Sequence, residues 1–199
     1  LASADGPPPN KILSFFRWAL SGSFTILIFS GLISVLTGVI EVSAALILGL
    51  VVDAALASST SPFDENVFLL IAGLIFFILL RPIIFGAFSY VQTIIVTPNV
   101  FNLVLSRLHR WTLGQSVQFF DNAFAGRLAQ KEMQTARAVT DVVVEVLHTI
   151  LFALASVIGA ALMLTSINSS LAIGLSMWLL AYLWMIQYFM PLIRQRSSA

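Results

Sequence analysis

Long apolar runs with very few charges make up most of the chain. From 21 to 52 the only charged residue is Glu41, and from 67 to 106 the only one is Arg81. Each run exceeds the roughly 20 helical residues that cross a bilayer. The connection between them, 53–66, combines Ser, Thr and Pro with acidic residues, a composition typical of a loop. The pattern therefore predicts two transmembrane helices in this part of the chain.

The last apolar run, 146–193, contains no Asp, Glu, Lys or Arg. As a single helix it would be about 70 Å long, more than the thickness of a bilayer. Turn-forming residues at 166–170, Ser-Ile-Asn-Ser-Ser, divide it into two spans. We therefore predict an all-α membrane protein whose four transmembrane helices lie at about 21–52, 67–106, 142–165 and 171–190.

One polar segment, 119–141, separates the two apolar halves. Good helix formers follow Asn122, and Asp121 can cap a helix at its start. Because no Pro lies between Pro98 and Pro191, we expect one helix from about 122 to 165. That helix would be roughly 60 Å long, twice the thickness of the hydrocarbon core. About half of it is therefore expected to stand in water.

Composition agrees with a membrane protein and argues against other classes. Hydrophobic residues make up 59% and charged residues 10% of the 199 residues, whereas soluble domains carry about 25% charged residues. A net charge of +1 gives no basis for binding nucleic acid. The absence of Cys excludes disulfides and thiolate metal sites, and His109 and His148 have no partner at metal-ligand spacing.

The positive charges predict the topology. With four spans, nine of the ten Lys and Arg residues fall on one side of the membrane and none falls in an outer loop. By the positive-inside rule, both ends of the chain are then expected in the cytosol. The nine are Lys11, Arg17, Arg107, Arg110, Arg127, Lys131, Arg137, Arg194 and Arg196.

Motifs for nucleotide binding are absent from the sequence. Neither lysine, Lys11 nor Lys131, belongs to a G-x-x-x-x-G-K motif, whose backbone amides and lysine would hold phosphates. No LSGGQ-like signature occurs either. We therefore expect no catalytic, cofactor-binding or metal-binding residues in this chain.

The polar segment resembles the first intracellular loop of exporter-type ABC transporters, the ATP-binding cassette multidrug and lipid exporters. Phe-Phe-Asp at 119–121 is followed by Ala-Gly-Arg-Leu at 125–128, which is similar to the coupling turn and the start of the ascending helix in that family. The resemblance implies a coupling turn at about 113–121. Read without it, the two Phe are loop core residues and Asp121 is only a helix cap.

The resemblance implies that the chain is the N-terminal part of a transporter that exports its substrate using ATP. A nucleotide-binding domain absent from this chain would bind ATP and Mg and make the complete protein an ATP-hydrolysing translocase. A second transporter half would complete a dimer in the bacterial inner membrane. The residues implied to couple to the nucleotide-binding domain are Phe119, Phe120, Asp121, Gly126 and Arg127.

The resemblance also divides the chain. Residues 1–10 are expected to be a disordered lead-in, and the mixed aromatic and basic segment 11–20 resembles an elbow helix in the headgroup region. The start of the first span is an equal alternative for that segment. Residues 21–199 correspond to part of the transmembrane domain, and the first residue, Leu1, suggests that the chain is a piece of a longer protein.

The two intramembrane charges are expected to lie at similar depth. Counted from the intervening loop, Glu41 and Arg81 are roughly 18 and 22 Å below the same surface. Because an unpaired charge there is costly, we predict that they pair or share a polar cavity. Separate positions along a central pathway are the alternative. With Tyr90 and Gln92 they are the candidates for lining a substrate cavity.

Two other functions fit part of this pattern. A small proton-coupled four-helix transporter could use Glu41 as a lone intramembrane carboxylate, although such a bundle has no need for long helices outside the membrane. A membrane scaffold without transport activity is a further alternative.

Overall fold

The computed structural model describes residues 6–57, 67–116 and 125–197. Within these ranges the chain forms five helices and no strand. They are α1 Ile12–Ala19, α2 Phe24–Ala57, α3 Val67–Leu113, α4 125–167 and α5 Ser169–Ser197. Helices α2 to α5 are each long and apolar enough to cross a membrane. The predicted fold class is therefore confirmed, and the protein is a multi-pass integral membrane protein.

Helix α1 is short and amphipathic, as expected from the aromatic and basic residues of segment 11–20. Its side chains Ile12 and Leu13 are 78% and 85% exposed, whereas Ala19 and Leu20 are buried in the core shared with α3. The chain then turns at Gly22, whose φ of +91° suits glycine because it has no Cβ. Helix α2 begins two residues later.

Helix α2 differs from the predicted span at both ends. It begins at Phe24 because the turn at Gly22 delays it, and it runs to Ala57, past the end expected at Asp53. The residues after Val52 are Asp-Ala-Ala-Leu-Ala, which contain no Gly or Pro and three alanines, the best helix former. Helix propensity therefore outweighs the single charge that was expected to end the helix.

Helix α3 is continuous although it contains Pro82 and Pro98. Each proline follows a π-helical stretch, Phe76–Leu80 in one case and Val91–Val96 in the other. Proline has no N–H for the carbonyl four residues earlier, which here belongs to Ile78 and to Ile94, inside those stretches. The wider π turns accommodate the missing hydrogen bonds, as at other bulges in long helices.

Helix α4 confirms the prediction of one long helix from its first described residue onward. It consists of an α-helical part Ala125–Glu145, a π-helical stretch Val146–Ile150 and an α-helical part Leu151–Ile167. Residues 122–124 of the predicted helix lie outside the described part of the chain. The turn predicted at 166–170 is confirmed at Asn168, which is extended and whose Oδ1 accepts the Ser170 N–H at 2.9 Å.

The helices form two packed regions. Helix α2 packs on Leu151–Ile167 of α4 and on Arg81–Tyr90 of α3, and α5 packs on the same part of α4. At the other end, Thr97–Leu113 of α3 packs on Ala125–Glu145 of α4; we name this pair the shaft hairpin. Its core repeats at helical spacing on both helices, with Val100, Val104 and Leu108 in one apolar cluster with Ala136, Val139 and Val143.

Candidate functional site

The two charges inside the apolar helices form an ion pair between α2 and α3. Nη2 of Arg81 donates to both carboxylate oxygens of Glu41, at 3.0 Å and 2.9 Å. The prediction that they pair is therefore confirmed. Each is the single charge of its apolar run, 21–52 or 67–106, where a charge without a partner is expensive. The ion pair therefore offsets the free-energy cost of placing each charge among apolar residues, and it links the two helices.

The ion pair lies at an open surface of the helix bundle. The two side chains are 38% and 40% exposed, and the Arg81 guanidinium lies 5.6 Å from the centre of the Phe85 ring, within the range of a cation–π contact. Phe77, Arg81, Pro82 and Phe85 line a shallow cavity of about 230 Å³. Tyr90, the third candidate of the predicted cavity, is 59% exposed.

Gln92 belongs to a buried polar cluster between α2 and α3. It is 3% exposed, and its Nε2 donates to Ser30 Oγ at 3.0 Å and lies 3.4 Å from Ser34 Oγ. Ser30 and Ser34 are fully buried. Side-chain hydrogen bonds between apolar helices add about 0.6 kcal/mol each on average. The cluster therefore joins the two helices, roughly three turns from the ion pair along α3.

A second buried cation joins α1 to the shaft hairpin. Arg107 is 4% exposed, and its guanidinium donates to the backbone carbonyls of Trp18 and Ser21. These carbonyls end α1 and begin the turn to α2, so the cation lies where the helix dipole is negative. Arg107 therefore fixes the position of α1 against α3.

The sequence places Arg107 among the bases on the cytosolic side and does not predict its burial. The signal that could have found it is its spacing: Val100, Leu103 and Val104 are buried on the face of α3 that Arg107 shares. A lone base on an apolar face at helical spacing indicates a buried polar contact. His109 is exposed, and its Nδ1 lies 3.4 Å from Oε2 of the buried Glu132.

Of the residues predicted to couple to a nucleotide-binding domain, three lie outside the described part of the chain. These are Phe119, Phe120 and Asp121. Gly126 and Arg127 are exposed in the first turn of α4. The described residues on either side, Gly114 to Ser116 and the start of α4, are at the same end of the shaft hairpin, because the two helices pack along each other.

No group of His, Asp and Glu among the described residues could hold a metal ion. His148 instead packs its ring on Phe88, with ring centres 4.8 Å apart.

Comparison with known proteins gives one informative relative. The chain is 27% identical over 194 residues to an uncharacterized ABC transporter ATP-binding protein of Haemophilus influenzae. The chain is a distant homologue of an ABC transporter protein. The alignment covers 96% of this chain but 31% of the relative, at its N-terminal part. The chain therefore spans about a third of the relative's length. No family model matches the chain, and no solved structure matches it.

Proposed function

We propose that this chain is the transmembrane part of an ATP-driven ABC exporter. It forms part of the substrate pathway, and it couples to a nucleotide-binding domain that the chain itself does not contain. The distant relationship to an ABC transporter protein supports this class. The substrate pathway and the coupling are the parts of the proposal that experiments must test.

The length of the shaft hairpin is the observation that carries the proposal. Helix α3 spans Val67–Leu113 and α4 spans 125–167, so each is about 65 to 70 Å long. A bilayer with its headgroups is about 40–45 Å thick. Some 20 Å or more of both helices therefore projects on one side as a packed pair. A rigid projection of this kind suits the transmission of movement from a domain in water to helices in the membrane.

The turn at the end of the hairpin is the proposed contact with the nucleotide-binding domain. Phe119 and Phe120 supply two large apolar side chains to fill a groove on that domain, with Asp121 beside them. Gly126 and Arg127, exposed at the start of α4, would border the same contact. Closure of the nucleotide-binding domain would then move α3 and α4 together.

The membrane orientation and the assembly follow from the same proposal. The positive-inside distribution supports a cytosolic shaft hairpin and cytosolic ends in a bacterial inner membrane. A second transporter half would complete a dimer. Glu41, Arg81 and Tyr90 are the pathway candidates, with Gln92 supporting the helix pair behind them.

A cross-linking experiment tests the coupling contact. Because the chain contains no Cys, Phe120→Cys introduces a single thiol into this part of the full-length protein. We expect it to form a disulfide with a cysteine placed in the groove of the nucleotide-binding domain, in an ATP-dependent manner. Met133→Cys is the matched control, since Met133 is exposed on the same hairpin, about two turns along α4 from Gly126.

The same experiment can refute the proposal. Equal cross-linking of both cysteines would indicate collision in the membrane rather than docking. If neither cross-links while ATP is hydrolysed, the hairpin end does not contact the nucleotide-binding domain.

The ion pair argues against the alternative of a small proton-coupled transporter. It required Glu41 to be a lone intramembrane carboxylate, whereas both of its oxygens contact Arg81. It also gives no role to the long shaft hairpin.

A further inference from the structure

A groove runs along one face of α1 and continues onto the start of α2. It has a volume of about 520 Å³ and is lined by Leu13, Ser14, Phe16, Arg17, Leu20 and Phe24. Positions 13, 16, 17 and 20 recur at the spacing of one helix face, and Phe24 is the first residue of α2. The groove therefore joins the short amphipathic helix to the beginning of a candidate membrane span.

Arg17 is the one charged residue among the described residues that line this groove. It is exposed, and no acidic side chain in the described part of the chain lies within ion-pair distance of it. The hydrogen bonds that hold α1 on α3 come instead from Arg107, which binds the backbone carbonyls of Trp18 and Ser21. The Arg17 guanidinium is therefore available to a ligand.

The length of α2 places the groove at the surface of the bilayer. Phe24 and Asp53 are about 43 Å apart along this helix, which matches the 40–45 Å thickness of a bilayer with its headgroups. Asp53 is the first charge after Glu41 and marks one membrane surface, so Phe24 lies in the headgroup layer of the other. The groove thus opens where lipid phosphates are concentrated.

An exposed apolar row on α2 continues the groove into the bilayer. Phe24, Ile28, Leu32 and Leu36 follow one another at four-residue intervals and are 45–64% exposed. They form one row along the helix surface, about 18 Å long. One leaflet of the hydrocarbon core is about 15 Å thick. An acyl chain can therefore lie along this row while its headgroup remains beside Arg17.

We propose that this groove binds one anionic phospholipid, with its phosphate at Arg17 and an acyl chain along the row from Phe24 to Leu36. Guanidinium groups form charge-assisted hydrogen bonds with phosphate oxygens, and basic residues at the membrane surface attract anionic lipids. Ser14, beside Arg17 in the groove, offers a hydroxyl as a further donor. The site is separate from the coupling turn and from the ion pair between α2 and α3, so it does not depend on the proposed function.

Native mass spectrometry of the full-length protein in detergent tests the site by comparing phosphatidylglycerol with phosphatidylcholine. Arg17→Gln is compared with Lys11→Gln, which removes an equal charge from the exposed N-cap of α1, outside the groove. We expect Arg17→Gln to lower the affinity for phosphatidylglycerol about tenfold, the loss of one charge-assisted hydrogen bond. Lys11→Gln should change it less than about twofold. Arg17→Lys should retain part of the affinity, because it keeps the charge but loses the planar fork.

The same measurements can reject the lipid. Competition by inorganic phosphate that depends on Arg17, without any preference between the two lipids, would identify a free phosphate site. Equal loss of binding in Arg17→Gln and Lys11→Gln would reduce the effect to net charge. No preference for phosphatidylglycerol in the unchanged protein, with no effect of phosphate, would mean that another segment of the full-length protein covers the groove. Unchanged binding in Arg17→Gln would also overturn the proposal, because Arg107 holds α1 in place and the replacement leaves the fold intact.

Discussion

At the scale of single residues, the ion pair between Glu41 and Arg81 explains how two charges persist in apolar helices. Neither residue has another charge in its own apolar run. Both carboxylate oxygens contact one guanidinium nitrogen, at 3.0 Å and 2.9 Å. Each residue therefore depends on the other, so removing one charge should cost more than removing both.

We expect Glu41→Gln to destabilise the protein by about 2–3 kcal/mol, because Arg81 is left without a partner among the apolar helices. The double change Glu41→Gln with Arg81→Gln should recover most of that loss, since two amides can bond to each other. Thermal unfolding in nanodiscs measures both variants. Additive losses in the double variant would mean that the two charges act separately.

Arg107 gives a second prediction at this scale. Replacing it with Met removes two charge-assisted hydrogen bonds to the carbonyls that end α1, each worth about 1.5–3 kcal/mol. Amide hydrogen exchange in Ile12–Ala19 should then become at least about tenfold faster, because α1 detaches from α3. Arg17→Gln is the control, since Arg17 is exposed on α1. Equal exchange in the two variants would show that other contacts hold α1.

At the scale of helices, α2 and α4 approach each other closely at Gly38. A Cβ there would lie 2.8 Å from both the Ala155 Cβ and the Phe152 carbonyl oxygen. On the facing helix, a Cβ at Gly159 would lie 3.1 Å from Val42. Small residues at facing positions allow membrane helices to pack closely through van der Waals contact.

Gly38→Ala should therefore destabilise the protein by about 1–3 kcal/mol, through overpacking against backbone that cannot yield easily. Gly49→Ala in the same helix is the matched control, because a Cβ there meets no atom within 4 Å. It should be neutral or slightly stabilising, since alanine favours a helix by up to about 1 kcal/mol. Equal shifts in the Tm of the two variants would exclude close packing at Gly38.

Helix number and order could be predicted from the sequence because they depend on apolar run length and on a few turn residues. The Glu41–Arg81 pair was predictable for the same reason: depth follows from helical rise along each run. The end of α2 was not, because the alanines after Asp53 extend the helix. The π-helical stretches and the burial of Arg107 depend on contacts between helices, which hydropathy along one helix does not contain.

At the scale of the whole molecule, the two packed regions are held together by different contacts. The region of α2 with α4 is held by close helix contacts and by the ion pair to α3, whereas the shaft hairpin has its own apolar core. Helices α3 and α4 run through both regions without a break. Under the proposed function, a push at the hairpin end would be transmitted to the membrane helices as movement of a rigid pair.

The last prediction concerns that transmission in the full-length protein. Tyr90 is exposed and is a candidate for the proposed pathway, so a cysteine there would test that pathway without knowledge of the substrate. In an otherwise unchanged protein, ATP should alter the rate at which maleimide labels Tyr90→Cys by about threefold or more, because the proposed switch changes the population in which this position is accessible. A threefold change corresponds to a shift of about 0.7 kcal/mol in that equilibrium. When Phe119→Ala and Phe120→Ala are added, ATP hydrolysis should continue while the ATP effect on labelling disappears. Labelling of Met133→Cys, exposed on the hairpin itself, controls for general changes in reactivity. An ATP effect that survives the double alanine change would assign the transmission to another contact.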